Sequence, residues 1–131
     1  MSQENMRVFE EAMLAASRGD MEAFLRYVDD DIVWIAARSA VEGAYRGHDG
    51  LRRFFADNDE NFDVFEPDFR EVRDLGEQIL AVGSIHIRAR GSTVETDIPV
   101  AGVFTFRRGK LVRWEDFRER RLALEAVGLS E

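Results

Sequence analysis

The sequence has no cysteine, two prolines and two histidines among its 131 residues. Without cysteine the chain has no disulfide, no thiolate zinc site and no cysteine nucleophile. The two histidines, His48 and His86, are too few for a histidine-rich metal site. Motifs of the GxxxxGK[ST], GxGxxG and GxSxG types are also missing. We therefore expect no metal and no cofactor, and carboxylates are the best-placed groups for any chemistry.

Positive charge is scarce as well. Eighteen Lys and Arg stand against 26 Asp and Glu, and the formal net charge is -8. This balance argues against nucleic acid or an anionic membrane as the main partner. The segment Met1 to Arg7 is polar, and no apolar run approaches membrane-spanning length. By elimination we expect a cytoplasmic protein.

What is present suffices for one core. Hydrophobic residues make up 45% of the chain and include ten Phe, so we expect a single domain over residues 1–131. Apolar residues at helical spacing predict a helix over Gln3–Arg18, a second from Asp20 to Val28, and a third from about His48. Gly19 should end the first helix, and Asp20 should cap the second. The inner stripe of the third helix comprises Leu51, Phe54, Phe55, Asn58 and Phe62.

The remaining pattern is typical of strands, with a short last helix. The predicted strands are Ile32–Ala36, Phe65–Leu75, Ile79–Arg90, Thr93–Arg107 and Leu111–Arg118, and the helix is Arg120–Val127. Arg38–Gly47 is interpreted as a loop, Arg108-Gly109 as a tight hairpin, and Pro99 as the site of a bulge or bend. This order predicts an α+β fold, in which a curved antiparallel or mixed sheet forms a cone. The N-terminal helices should pack on its concave face and enclose a pocket.

Two carboxylates on neighbouring strands are the candidate catalytic pair. Strand alternation puts Asp97 and Glu95 on one face, and counting back from the hairpin pairs Asp116 with Ala101 or Gly102. We expect Asp97 and Asp116 to lie along one groove that a ligand spans. In an apolar cone their pKa values would rise, which suits a general base and a general acid. The alternative is two acids on an exposed face, solvated or paired with arginines.

Glu95 and four further side chains are candidates for ligand binding. Trp114 is interpreted as a wall of the core or pocket, with stacking on a flat ligand as the alternative. Trp34 and Tyr45 flank the loop at the expected pocket mouth, where packing or a Tyr45 hydroxyl donor are the two readings. His86 is interpreted as a satisfied or exposed histidine, with a general base as the alternative.

Several runs of residues together resemble a known family. They are Gly19-Asp20, the strand Ile32–Ile35, Tyr45-Arg46-Gly47-His48, the run Val100 to Phe104, and the run Gly109 to Phe117. With these runs in order, essentially the whole chain resembles the SnoaL-like members of the nuclear-transport-factor-2-like superfamily. The last run is the most specific.

The resemblance implies a cone of helices and curved sheet, dimeric through the sheet. Its members include polyketide cyclases, steroid isomerases, dehydratases, epoxide hydrolases and proteins that only bind, so the fold does not decide the function. The resemblance implies that Asp116 is a pocket carboxylate, and that Asp97 is similar to the second acid of the epoxide-hydrolase type.

The sequence lacks residues that two of these activities require. The epoxide-hydrolase type has an arginine where Glu95 stands and a Tyr-x-Asn where Trp34 and Ala36 stand. The steroid-isomerase base would lie within Ile32 to Ala37, which contains no acid. These departures speak against both reactions.

Three functions are compatible with these observations. The first is acid/base catalysis on a small, mostly apolar carbonyl or cyclic compound by isomerisation, cyclisation or hydration, with Asp116 leading and Asp97 or Glu95 assisting. The second is a non-catalytic domain that binds a hydrophobic small molecule. The third is a dimerisation or interaction domain whose cone is filled by phenylalanines. A homodimer through the sheet is expected from the resemblance.

Overall fold

The structure is a computed structural model, and it describes residues 2–36 and 44–130. Four helices and six strands are present in these ranges. The helices are α1 (Ser2–Ser17), α2 (Met21–Leu25), α3 (Gly47–Asn61) and α4 (Arg120–Ala126). The strands are β1 (Val28–Ile35), β2 (Tyr45–Arg46), β3 (Phe62–Asp74), β4 (Gln78–Ala89), β5 (Glu95–Arg107) and β6 (Lys110–Phe117).

All six strands form one open sheet in the order β2-β1-β6-β5-β4-β3. The pairs from β6 through β3 are antiparallel and follow chain order, whereas β1 and β6 run parallel. The predicted mixed sheet and α+β class are confirmed. No helix in the described ranges is both long and apolar enough to cross a bilayer.

Each face of the sheet is covered differently. The helix face carries α1, α2 and α3, and its buried residues include Ile79, Ala81, Phe104 and Trp114. The outer face alternates with it along each strand, because successive side chains point to opposite sides. Of the four described helices, α4 packs there, with Ala123 and Leu124 against outer-face residues Leu80, Ala101 and Val103. Most of the large core therefore lies between the sheet and the first three helices.

Local signals of the sequence behave as expected at the turns. Gly19 has a φ of 71°, and the backbone N–H of Ala23 donates to Asp20 Oδ1 at 3.1 Å. Both residues of the Arg108-Gly109 turn have positive φ, 55° and 75°, as a two-residue hairpin with primed geometry requires. The predicted cap, helix end and hairpin are confirmed.

The predicted boundary between the second helix and the first strand is wrong. The helix α2 ends at Leu25, and β1 already begins at Val28, so the acidic run 29–31 lies inside the strand. Val28 is 1% exposed and pairs with Leu111 across the β1–β6 ladder. The register shifts between Val28 and Val33, so the three aspartates lie at a bulge where the ladder with β6 is interrupted. The predicted loop Arg38–Gly47 contains the short strand β2, and its residues 38–43 lie outside the described residues.

The bulge predicted at Pro99 is absent. Pro99 pairs with Ser84 in an uninterrupted register between β4 and β5. The neighbouring strand β6 ends at Phe117, opposite Ala101, so β5 has become an edge by Pro99. A proline is tolerated at an edge because its missing N–H need not serve a second ladder. The register shifts in the described part of this sheet lie instead at four places: Phe62 to Val64, Phe69 to Glu71, Val28 to Val33, and Thr105 to Phe106.

Candidate active site

Two tryptophans meet on the helix face where β1 and β6 run parallel. Trp34 pairs directly with Trp114, so both side chains project to the same side of the sheet. Their rings stack at a centroid distance of 4.0 Å with 9° between the planes. They are 2% and 8% exposed, which makes them part of the core rather than of a surface.

The Asp116 carboxyl lies against the polar edges of both indoles. Trp114 Nε1 donates to Asp116 Oδ1 at 2.8 Å, and Trp34 Nε1 donates to Oδ2 at 3.2 Å. Trp114 and Asp116 share a face because they are two residues apart on β6. Each carboxyl oxygen thus accepts one indole N–H and keeps lone-pair capacity for a further partner.

A glycine makes room for this carboxyl. Gly102 is the cross-strand partner of Asp116. A Cβ added to Gly102 would lie 3.1 Å from Asp116 Oδ1 and 2.9 Å from the Phe104 ring. Sequence reasoning assigned Gly102 no part in the site. The signal was a glycine in mid-strand, which often marks a close approach.

Burial decides the ionisation of Asp116. The residue as a whole is half-buried, but its carboxyl is deep enough for desolvation to raise its pKa from 3.8 to about 7. The two indole hydrogen bonds lower this pKa, and the charge of Glu115 raises it slightly. Desolvation is the largest of these causes because a charged carboxylate is poorly stabilised among aromatic rings. The group therefore exchanges its proton near neutral pH.

The surroundings of the pair are aromatic. Trp34 has Phe54, Phe55 and Tyr45 around it, at centroid distances of 3.7, 5.9 and 6.1 Å. Tyr45, expected at a pocket mouth, is 6% exposed. Two open surface depressions in the described part of the chain lie away from Asp116, one against α1 and the other on the outer face.

The structure does not bring Asp97 to Asp116. Asp116 pairs with Gly102, which is five residues from Asp97, so the two acids point to opposite faces. The physical reason is a register shift: Phe106 pairs with Leu111, but Thr105 pairs with Arg113. Without this bulge Asp116 would pair with Ala101 and share a face with Asp97. The predicted common groove is therefore wrong.

Asp97, Glu95 and His86 instead form a cluster on the outer face. His86 Nδ1 lies 2.7 Å from Asp97 Oδ1, and its Nε2 lies 2.5 Å from Glu95 Oε1. Ionised carboxylates only accept hydrogen bonds, so both bonds form when both ring nitrogens carry a proton. The hydrogen bond to Asp97, followed by that to Glu95, raises the pKa of His86.

The ligand-binding candidates thus separate into two groups. Trp34, Tyr45 and Trp114 lie with Asp116 on the helix face, and His86 and Glu95 lie with Asp97 on the outer face. An open depression of about 360 Å³ adjoins the outer cluster, lined by Arg70, Gly83, Ser84, Asp97 and Pro99. Among residues 2–36 and 44–130, no three His, Asp or Glu side chains are grouped to hold a metal ion.

Comparison with known proteins identifies the family of this chain. The sequence profile of the SnoaL-like domain matches residues 9–114. No functionally curated protein matches the sequence.

Solved structures resemble this fold over nearly the whole chain. An NTF2-like protein of unknown function from Burkholderia pseudomallei has a TM-score of 0.80 at 22% identity and covers 96% of both chains. TerC, crystallised with polyporic acid, has a TM-score of 0.80 at 19% identity, over 88% of this chain and 92% of its own. A limonene-epoxide-hydrolase-like (LEH-like) epoxide hydrolase of Mycobacterium tuberculosis has a TM-score of 0.73 at 18% identity, over 89% and 84%. At these identities the likeness shows the cone fold alone.

The raised pKa of Asp116 predicts a pH-dependent cost to folding. The folded chain favours the protonated carboxyl, so the cost is absent below pH 3.8 and grows as the pH rises to about 7. Asp116→Asn carries no such charge. From roughly pH 4 to pH 8 the variant should gain up to about 4 kcal/mol of unfolding free energy relative to wild type. Urea unfolding of both proteins at each pH measures this difference.

Trp34→Phe tests the cause of the shift. It keeps the ring but removes one indole N–H that lowers the pKa of Asp116. Without this hydrogen bond the pKa of Asp116 should be higher than in wild type. The free energy of unfolding of the variant should therefore continue to decrease to a higher pH than that of wild type. Parallel pH curves for wild type and Asp116→Asn would contradict the buried, titrating carboxyl.

The outer cluster predicts a second titration. Below pH 6.5 imidazolium binding by Asp97 and Glu95 contributes fully to stability, and this contribution is lost as the pH rises through the raised pKa of His86. Asp97→Asn should lower that pKa most and Glu95→Gln less, as measured by NMR of the His86 ring. Asp68→Asn, on the same face but paired with Arg70, is the matched control. Equal midpoints in all four proteins would refute the cluster.

Proposed function

This chain belongs to the SnoaL-like family, and we propose that its helix face binds a small, largely apolar ligand on which Asp116 acts as general base and acid. The observation that carries the proposal is the carboxyl between two indole N–H groups, with a pKa of about 7. A group with a pKa close to the working pH is present in both protonation states and transfers protons efficiently in both directions.

Proton transfer by one carboxyl suits isomerisation or cyclisation. Asp116 would take a proton from a carbon next to a carbonyl, forming an O–H bond as the C–H bond breaks. The electron pair moves into the new C=C bond, and the carbonyl oxygen becomes an enolate. The same carboxyl then returns its proton to another carbon. Alternatively, the enolate carbon forms a C–C bond to a second carbonyl within the ligand, whose oxygen takes the electron pair and then the proton from Asp116. Neither route needs a second acid.

Reactions that need two carboxylates or a held water are less well supported. Asp97 and Glu95 lie across the sheet from Asp116 and bind His86. The positions expected to hold a water hold Trp34 and Ala36, 2% and 5% exposed. The similarity to the LEH-like epoxide hydrolase therefore supports the shared fold and not its reaction. TerC with polyporic acid supports the idea that this fold accommodates a small organic molecule.

Binding without catalysis is the second candidate function. The observation that favours it is the aromatic filling around Asp116, where Phe54 and Trp34 centroids are 3.7 Å apart. A ligand must displace some of these rings to reach the carboxyl. In this case Asp116 would serve as a hydrogen-bonding partner for the ligand and transfer no proton.

Exchange of the α-hydrogens of 2-tetralone in D₂O distinguishes the two functions. This bicyclic ketone is small, apolar and acidic next to its carbonyl. Wild type should accelerate deuterium incorporation, and Asp116→Asn should lower the rate by roughly 10²–10⁴-fold, the usual range for general base catalysis. The rate should rise with pH through about 7, as the carboxylate forms. NMR follows the exchange directly.

Asp97→Asn is the matched control for this assay, because it removes a carboxylate from the outer face. Its exchange rate should equal that of wild type. An equal loss in both variants would contradict a role specific to Asp116. Tetralone that binds but does not exchange would favour the binding function.

Homodimerisation through the sheet is the other part of the proposal. The outer face of β4 and β5 around Ser84 is available for it, because α4 packs farther along, against Leu80, Ala101 and Val103. Light scattering at micromolar concentration should give twice the 15.0 kDa of one chain. Ser84→Arg should lower the mass to that of a monomer, and Asp59→Arg on α3 should not. A monomeric wild type would contradict the dimer.

A further inference from the structure

A buried amide on α3 has no hydrogen-bond partner. Asn58 is 4% exposed, and in the described part of the chain neither its Oδ1 nor its Nδ2 forms a hydrogen bond. The other buried asparagine behaves normally: Asn5 is 5% exposed, and its Nδ2 donates to the Gly76 carbonyl at 2.9 Å. Buried polar groups are nearly always paired, so Asn58 is an exception that requires a reason.

Asn58 belongs to the same aromatic layer as Asp116. It follows Leu51 and Phe54 on the buried stripe of α3. The Phe54 ring centroid lies 3.7 Å from that of Trp34, whose indole N–H donates to Asp116. Asn58 is one helical turn, about 6 Å, beyond Phe54. The helix face therefore holds two polar side chains with spare hydrogen-bonding capacity within an otherwise apolar layer.

Folding alone does not explain this amide. An unpaired buried donor and acceptor reduce the free energy of unfolding, and a leucine of similar size at this position would avoid that cost. A ligand that pairs with the amide would offset it only in the bound state. Sites built in this way reject analogues that lack the matching group, because the protein amide is then left unpaired.

The helix face of the sheet becomes exposed a short distance from this layer. Along β5, the helix-face row runs from Gly102 beside Asp116 through Val100 to Ile98. Val100 is 6% exposed and Ile98 is 42% exposed, so the helical cover ends between them. Ile98 pairs with Ile85, and both present apolar side chains at this end of the helix face. An exposed apolar surface therefore begins four residues from Gly102 along the same row, and a ligand that displaces rings of the aromatic layer would approach from this side.

We propose that Asn58 binds the ligand of the Asp116 site through a group that both donates and accepts a hydrogen bond. Both amide atoms of Asn58 are unpaired, so the complementary group has an N–H or O–H beside a C=O, as in a lactam or a hydroxy-carbonyl compound. The aromatic rings of the layer between Phe54 and Trp34 favour a planar molecule. This inference rests on the proposed function, because it places the ligand at the same site.

The neutral bicyclic lactam 2-quinolone is the probe. Its N–H and C=O are adjacent and match both atoms of the amide, whereas N-methyl-2-quinolone keeps the ring and lacks the donor. Calorimetry should show that wild type binds 2-quinolone at least about tenfold more tightly than the methylated compound, the worth of one buried hydrogen bond. Asn58→Leu should bind 2-quinolone at least about tenfold more weakly and no longer distinguish the two. Asp97→Asn, on the outer face, should bind as wild type does.

NMR of the wild-type chain tests the contact without a substitution. Adding 2-quinolone should shift the side-chain amide signals of Asn58 and leave those of Asn5 in place. Urea unfolding checks that the variants are folded. Asn58→Leu should be at least as stable as wild type. Asn5→Leu should be less stable than wild type, because the Gly76 carbonyl loses its hydrogen-bond donor.

Three results would overturn the proposal: no binding of 2-quinolone at millimolar concentration, equal affinity in wild type and Asn58→Leu, or unshifted Asn58 signals. Failure of the proposed function is recognised separately. If Asp116→Asn keeps the tetralone exchange rate but Asn58→Leu loses lactam selectivity, the catalytic role is wrong and the binding role of Asn58 stands.

Discussion

The parallel pairing of β1 with β6 is the constraint on which the candidate site depends. It brings Trp34 beside Trp114 in a direct pair and stacks their rings at 4.0 Å. In this arrangement the two indole N–H groups reach different oxygens of Asp116. A carboxyl among so many aromatic rings would lose far more from burial if these donors were missing. The same stack forms the floor against which Phe54 and α3 pack.

The sheet separates two kinds of acidic chemistry. On the helix face, a single carboxyl is held by neutral donors in an apolar layer, so its proton is available near neutral pH. On the outer face, Asp97 and Glu95 surround His86 in contact with solvent, where their charges favour the imidazolium. The first environment suits proton transfer to an apolar ligand. The second is a charged, partly exposed surface.

Sequence periodicity identified the three long strands β3, β4 and β5, the amphipathic helices and the turn glycines. These features follow from local backbone preferences and from the alternation of buried and exposed side chains. It missed the start of β1 at Val28, which pairs with Leu111 on the far side of a bulge that contains the three aspartates. It also expected a bulge at Pro99, where the end of β6 turns β5 into an edge that tolerates proline. Both errors concern which strand lies alongside, and no local pattern contains that information.

For the candidate site, too, some features follow from the sequence and others from the pairing of strands. The sequence by itself determined that Asp116 follows Trp114 at strand spacing, that Asn58 lies on the inner stripe of α3, and that Trp34 is on the first strand. Only the tertiary structure decided that Trp34 donates to Asp116, and that Asp97 faces away from it. The decisive feature is the one-residue bulge beside Thr105, which pairs Asp116 with Gly102 instead of Ala101. Because side chains alternate with a period of two, a single-residue shift moves every later partner to the other face, and that shift arises from packing between strands.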